Sequence, residues 1–230
     1  MPEIGLTGGI GAGKSTVSVG LAARGAVLID TDDIVRQLQM PGKPVFKAMV
    51  GRWGSSVLCE DGTLNRSVVA DIVFRDDAEL AVLNAIVHPS VVTVVQQQLN
   101  TIRKDRNHCE ENNGSGKKNI EEKIVVIEIP LLAETKNQTM PLQTDNRTNT
   151  EVHYWNDLDG IVTVDTDPEI ALQRLVEKRG FTKTEALTRI ASQASRETRI
   201  AIADFVINNN SSYFDLEKQI EACWLWACTL

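Results

Sequence analysis

Apolar residues gather in five short runs: Ile4-Gly5-Leu6, Ala26-Val27-Leu28-Ile29, Ile124 to Ile129, Ile161-Val162-Thr163-Val164 and Phe205-Val206-Ile207. Each is too short for a helix and most are rich in β-branched residues, so they predict strands buried on both faces. Helix signals lie between them. A first helix is predicted from Lys14 to Arg24, with Gly25 where a C-cap belongs. Asp167 is a good N-cap, Pro168 a good first helical residue and Gly180 a terminator. Thr182-Lys183-Thr184-Glu185 fits a capping box that opens a helix to about Ile200. Asn208-Asn209-Asn210 turns into a last helix, which Trp224 and Trp226 are expected to pack. Strands alternating with helices predict an α/β fold, a parallel sheet covered on both faces. Such folds bind ligands at the carboxyl ends of their strands.

Residues 34–103 break this alternation and read as helices separated by turns at Pro41-Gly42 and Asp61-Gly62. Ala78 to Val87 and Ser90 to Ile102 read as two helical pieces around His88-Pro89, with His88 a packing or capping residue. Residues 104–123 and 135–157 are strongly polar and lie beside strong strands, so they read as surface insertions.

The turn after the first strand carries the clearest chemistry. Gly8-Gly9-Ile10-Gly11-Ala12-Gly13-Lys14-Ser15-Thr16 fits G-x-x-x-x-G-K-[ST] between a strand and a helix, the setting of a phosphate-binding loop. Its glycines let the backbone turn tightly and approach an anion, and its amides and the helix N-terminus face the phosphates. Gly9, Gly11, Ala12, Gly13, Lys14, Ser15 and Thr16 form the expected nucleotide-binding set. Lys14 would reach the β- and γ-phosphates of a triphosphate such as ATP, and Ser15 would offer its hydroxyl to Mg²⁺.

Two further clusters bear on transfer. Asp30, Asp32 and Asp33 follow the second apolar run. A carboxylate at that edge can accept the proton of an attacking hydroxyl. Alternation along an extended segment puts Asp30 and Asp32 on one side, and Asp33 reads as a cap of the next helix; all three also fit a turn. From Arg174 to Arg199 seven basic residues face three acidic ones, including Arg179, Arg189, Arg196 and Arg199. Arg189, Gln193 and Arg196 would share one face of a continuous helix. An arginine-rich helical hairpin at 174–200 could close as a lid over a polyphosphate; a solvated basic face is the alternative.

Composition narrows the setting. A chain of 230 residues, 42% hydrophobic, can bury a core of one domain with insertions or with a small cap. A net charge of −7 argues against nucleic acid or an acidic membrane as partner, so any anion site is local. No apolar run approaches the roughly 18 residues of a spanning helix, and the first strand starts too early to leave room for a leader. The four cysteines lack C-x-x-C spacing, which suits free thiols in the cytoplasm. No N-K-x-D guanine motif supports a GTP-driven switch.

Several of these elements, in this order, resemble the dephospho-CoA kinase family. They are the opening Ile4 to Thr16, Ile29-Asp30-Thr31-Asp32, Pro41-Gly42, Asp61-Gly62-Thr63-Leu64-Asn65-Arg66 and His88-Pro89. Ile129-Pro130-Leu131-Leu132, Gln193-Ala194-Ser195-Arg196-Glu197 and Ala203 to Asn209 continue the match. The resemblance implies a three-layer phosphate-loop kinase fold with a parallel five-stranded sheet, a helical acceptor-binding subdomain at 34–103 and the lid. It implies transfer of the ATP γ-phosphate to the ribose 3′-hydroxyl of dephospho-CoA. Asp32 would be the base, Lys14 and Arg179 would act on the phosphates, and Arg196 would belong to the nucleotide side. A monomer or weak homo-oligomer is expected. The polar stretches 104–123 and 135–157 are longer than the family usually has.

Overall fold

The computed structural model describes residues 1–111, 123–130, 132–133 and 154–230. These divide into two compact units, one holding 1–30 with the described residues from 123 onward, the other 31–111.

The first unit is an all-parallel sheet of five strands in the order β2-β3-β1-β4-β5. The strands are β1 (Glu3–Gly8), β2 (Val27–Asp30), β3 (Val125–Glu128), β4 (Gly160–Asp165) and β5 (Phe205–Asn208). All five expected runs are strands. Helices cover both faces, which is why β1 and β4 are buried at nearly every position rather than alternately. In register, Leu6 sits between Glu128 and Val162, and Gly8 opposite Val164. On one face α1 (Lys14–Ala22) and α9 (Tyr213–Ala227) bury Ile4, Leu6, Val17, Leu21, Val126, Val162, Ile207 and Ile220. Burial of each large side chain contributes about 1.5–3 kcal/mol. Trp226 stacks on Phe205 with ring centres 5.3 Å apart, so the last helix is packed as expected. On the other face Gly5 lies against Leu132 and Leu158.

The helix boundaries need two corrections. α1 ends at Ala22, two residues before the expected Arg24, and Gly25 at φ 110° lets the Ala26 N–H return to Leu21 O at 3.1 Å. Further along, α6 (Pro168–Arg179) has the expected Asp167 cap and Gly180 terminator at φ 69°, and α7 (Lys183–Ala191) opens on the Thr182–Glu185 capping box. But α7 stops where a helix to Ile200 was expected, and a separate α8 (Arg196–Ala201) follows. The Ser195 hydroxyl accepts the Thr198 N–H at 3.1 Å, so it starts a new helix instead of continuing the old one. Arg189, Gln193 and Arg196 therefore do not share a helix face.

The second unit is helical: α2 (Thr31–Leu38), α3 (Pro44–Trp53), α4 (Arg66–Val73) and α5 (Asp77–Glu111). Turns stand at Gly42 (φ 84°) and Gly62 (φ 79°), as the Pro41-Gly42 and Asp61-Gly62 pairs predict. Asp61 Oδ1 accepts the Thr63 N–H at 2.9 Å and closes the second. α5 runs straight through Pro89, so the two expected pieces are one helix. Its buried stripe Val87, Val91, Val95 and Leu99, packed on α2, α3 and α4, outweighs the hydrogen bond Pro89 cannot make. Glu79 near its start accepts Trp53 Nε1–H at 2.8 Å and pairs with Arg52, which holds the Glu79 carboxyl below the usual range. Burial lowers the His88 imidazole, in keeping with a packing role.

One more expectation changes here. Residues 104–111 belong to α5 and are not insertion loop; 112–122, and most of 135–157, lie outside the described residues. Between Asp77 and Asp105, α5 also holds an 18-residue window of mean hydropathy 1.6, enough by length and composition to cross a membrane. No uninterrupted apolar run in α5 approaches 18 residues, so the expectation from sequence stands; the window arises from apolar positions spread along the helix. The apolar positions escape notice in sequence because polar residues interrupt them; coiled into a helix, they form the stripe that faces α2 to α4.

Candidate active site

The loop joining β1 to α1 is built as its glycines require. Gly13 caps α1 at φ 95°, and a Cβ there would collide with Asn209 Nδ2. That amide, placed just past β5, donates to Ala12 O at 2.7 Å. Thr166 Oγ1 donates to the same carbonyl at 3.2 Å. Arg174 of α6 donates to Asn209 O at 2.9 Å. The loop is thus braced from the carboxyl ends of β4 and β5.

Lys14 begins α1 and folds back over the loop, its Nζ donating to Gly8 O at 2.8 Å. Ser15 and Thr16 follow on the exposed first turn. Beside the loop lies a cleft of about 350 Å³, lined by Gly11, Gly13, Thr16, Arg174, Arg179 and Tyr213 among others. Arg179, the last residue of α6, therefore stands at this cleft, with Lys178 beside it. A volume of this order suits a small organic ligand, and the cations suit an anionic one.

Arg196, expected on the nucleotide side, opens α8. It forms a fork with buried Asp165 at the end of β4, Nε to Oδ1 at 2.8 Å and Nη2 to Oδ2 at 2.6 Å. That pairing raises the Arg196 guanidinium above its ordinary value. Arg199 lies closer to the loop: a Cβ on Gly9 would come 2.9 Å from its Nη2.

In the second unit, Asp32 is exposed in the first turn of α2. The helix begins at Thr31, immediately after β2, so the segment is not extended and the alternation that paired Asp30 with Asp32 is absent. Asp33 is likewise inside the helix rather than its cap. It accepts Gln37 Nε2–H at 2.7 Å. A second cleft of about 380 Å³ lies between α2 and the Thr63–Arg66 segment, lined by Arg36, Gln37, Met40, Thr63 and Arg66 among others.

Sequence reasoning missed Thr166 and Asn209 as loop supports and Asp165 as the partner of Arg196. Asn209 had a signal, since a polar residue directly after a buried parallel strand stands at the ligand edge of the sheet. Thr166 and Asp165 had the same signal after β4.

A glycine cradle, its lysine at a helix N-terminus and an arginine-lined cleft at the carboxyl edge of a parallel sheet define a phosphate-loop kinase fold. Within that class the chain belongs to the dephospho-CoA kinase family, whose model matches residues 3–215. A dephospho-CoA kinase of Streptomyces avermitilis is 41% identical over 97% of this chain and 93% of its own. Among solved structures, TT1252 from Thermus thermophilus is similar at a TM-score of 0.72 and 26% identity, over 98% of this chain and 97% of that one. Dephospho-CoA kinase from Campylobacter jejuni shares the fold at a TM-score of 0.59 and 20% identity, over 99% of this chain and 97% of that one.

Proposed function

We propose that the protein transfers the γ-phosphoryl group of ATP to the 3′-hydroxyl of the ribose of dephospho-CoA, yielding coenzyme A and ADP. The observation that carries this reading is the family match across residues 3–215, which spans the phosphate loop, the Asp32 helix and the arginine-rich helices together.

In this reading the amides of Gly9 and of Gly11 to Thr16 hold the polyphosphate, and Lys14 leaves Gly8 O for the β- and γ-oxygens. Arg179 and Arg174 serve the nucleotide cleft. Arg196 acts from its fork with Asp165, which fixes the guanidinium plane. Asp32 accepts the proton of the attacking hydroxyl; it stands two residues beyond the end of β2, on the first turn of a helix. The helical unit holds the acceptor, with Arg36 and Arg66 offering cations to its phosphates.

Mg²⁺ fits the residues present. No cluster of three His, Cys, Asp or Glu side chains stands among the described residues. The exposed Ser15 hydroxyl offers a hard oxygen, and Mg²⁺ is commonly held by one such ligand, substrate phosphates and water. When bound, the ion neutralises charge on the phosphates. Cys59, Cys223 and Cys228 are free thiols, which suits a reducing cytoplasm.

A coupled ADP-release assay tests the acceptor. Turnover with dephospho-CoA and little with AMP, adenosine or shikimate is the expected result. Turnover with one of the others and none with dephospho-CoA would overturn the assignment.

A further inference from the structure

Gln193 reaches the phosphate loop from the turn between α7 and α8. Its Oε1 accepts the Ile10 N–H at 2.7 Å, across 183 positions of sequence. That turn is itself held. Ser192 Oγ donates to Arg189 O at 3.0 Å, and Arg199 donates to Ala194 O while its guanidinium covers Gly9. Thr163 of β4 donates to Arg199 O at 3.0 Å, tying α8 to the sheet. A half-buried glutamine thus grips one particular loop amide from an anchored base.

The position of that amide matters. Lys14 Nζ lies on Gly8 O, and the lysine of such a loop serves the β- and γ-phosphates. The strand end of the loop, Gly8 to Ile10, is therefore the end where the transferring group sits. Gly11, Gly13 and Thr16 open instead on the arginine-lined cleft. A carboxamide that accepts with its oxygen carries two N–H donors on the same plane. Fixing Oε1 on Ile10 fixes those donors beside the γ-phosphate end.

We propose that Gln193 is a positioning residue for phosphoryl transfer, setting the Ile10 amide through Oε1 and presenting its own NH₂ to the γ-phosphoryl group. This rests on the kinase reading above. A neutral donor pre-set at that point contacts the γ-phosphate of bound ATP and strengthens as charge develops on it during transfer.

The test uses the full chain with Gln193→Met, which keeps the volume and removes the hydrogen bonds, and Gln193→Glu, which keeps the acceptor and adds charge. Loss of one such contact predicts a kcat about tenfold lower in the Met variant, with ADP affinity and thermal midpoint unchanged. The Met variant should also lose preference for ATP over ADP in binding, a readout that needs no acceptor. Gln193→Glu should be slower still, because its carboxylate faces the γ-phosphate. Wild-type kcat and ATP preference in the Met variant would overturn the proposal. So would a parallel fall of kcat, ADP affinity and thermal midpoint, or a Glu variant as active as wild type. Wild-type turnover with dephospho-CoA, measured alongside, tests the kinase reading by itself.

Discussion

Gly13 meets two demands at once: φ of 95°, and no Cβ in front of the Asn209 amide that braces Ala12. Its importance was legible in sequence from the loop pattern, but its partner was not, since Asn209 is 196 positions away. Asp32 shows the reverse. Its candidacy was legible from its place after a buried strand, while its setting was not. It stands in a helix, where the N-terminal dipole favours the carboxylate and the side chain is exposed. Asp32→Asn is expected to bind ATP almost normally and lose transfer to dephospho-CoA by about 10²-fold or more. ATP affinity by calorimetry and turnover by ADP release check this; unchanged turnover removes Asp32 from the mechanism. Arg196 was expected on the nucleotide side only through the family resemblance, and its fork with Asp165 depends on where β4 ends relative to α8.

At the scale of elements, strands and caps were the readable part. Short β-branched runs, the Asp167-Pro168 start and the Thr182–Glu185 box are local signals set by the few residues that make them. Breaks within helices were not readable, because they weigh a local penalty against distant packing. Pro89 did not break α5, where α2, α3 and α4 bury the stripe on either side of it. Ser195 did break the helix expected to reach Ile200, because its hydroxyl caps a new one. Pro89→Ala should therefore stabilise the protein, by up to about 3 kcal/mol if the restored hydrogen bond forms without repacking. Chemical denaturation followed by circular dichroism measures this. A stability equal to or below wild type would mean that the ring's own packing compensates for the missing bond.

At the scale of the molecule, the two units carry different chemistry in the proposed reaction. In that reading the sheet unit would hold the nucleotide and the helical unit the acceptor. ADP at about 100-fold above its Kd should raise the opening free energy of amides in the loop and around 166–180 and 209–216 by up to about 2.7 kcal/mol. Dephospho-CoA added with ADP should extend protection to α2 and the Thr63–Arg66 segment. Hydrogen exchange with mass spectrometry resolves the two, and protection by dephospho-CoA confined to the sheet unit would contradict the division. By itself the sequence determined the strand set, the parallel α/β architecture, the phosphate loop and the family to which its ordered motifs belong. These depend on near neighbours, where steric limits, hydrogen bonding of caps and burial period act over a few residues. Only the tertiary structure decided that Asn209, Thr166 and Gln193 grip the loop, that Asp165 holds Arg196 and that α5 continues through Pro89. Each of those outcomes is a contact between residues far apart in the chain, and its free energy exists only once the sheet and helices have brought them together.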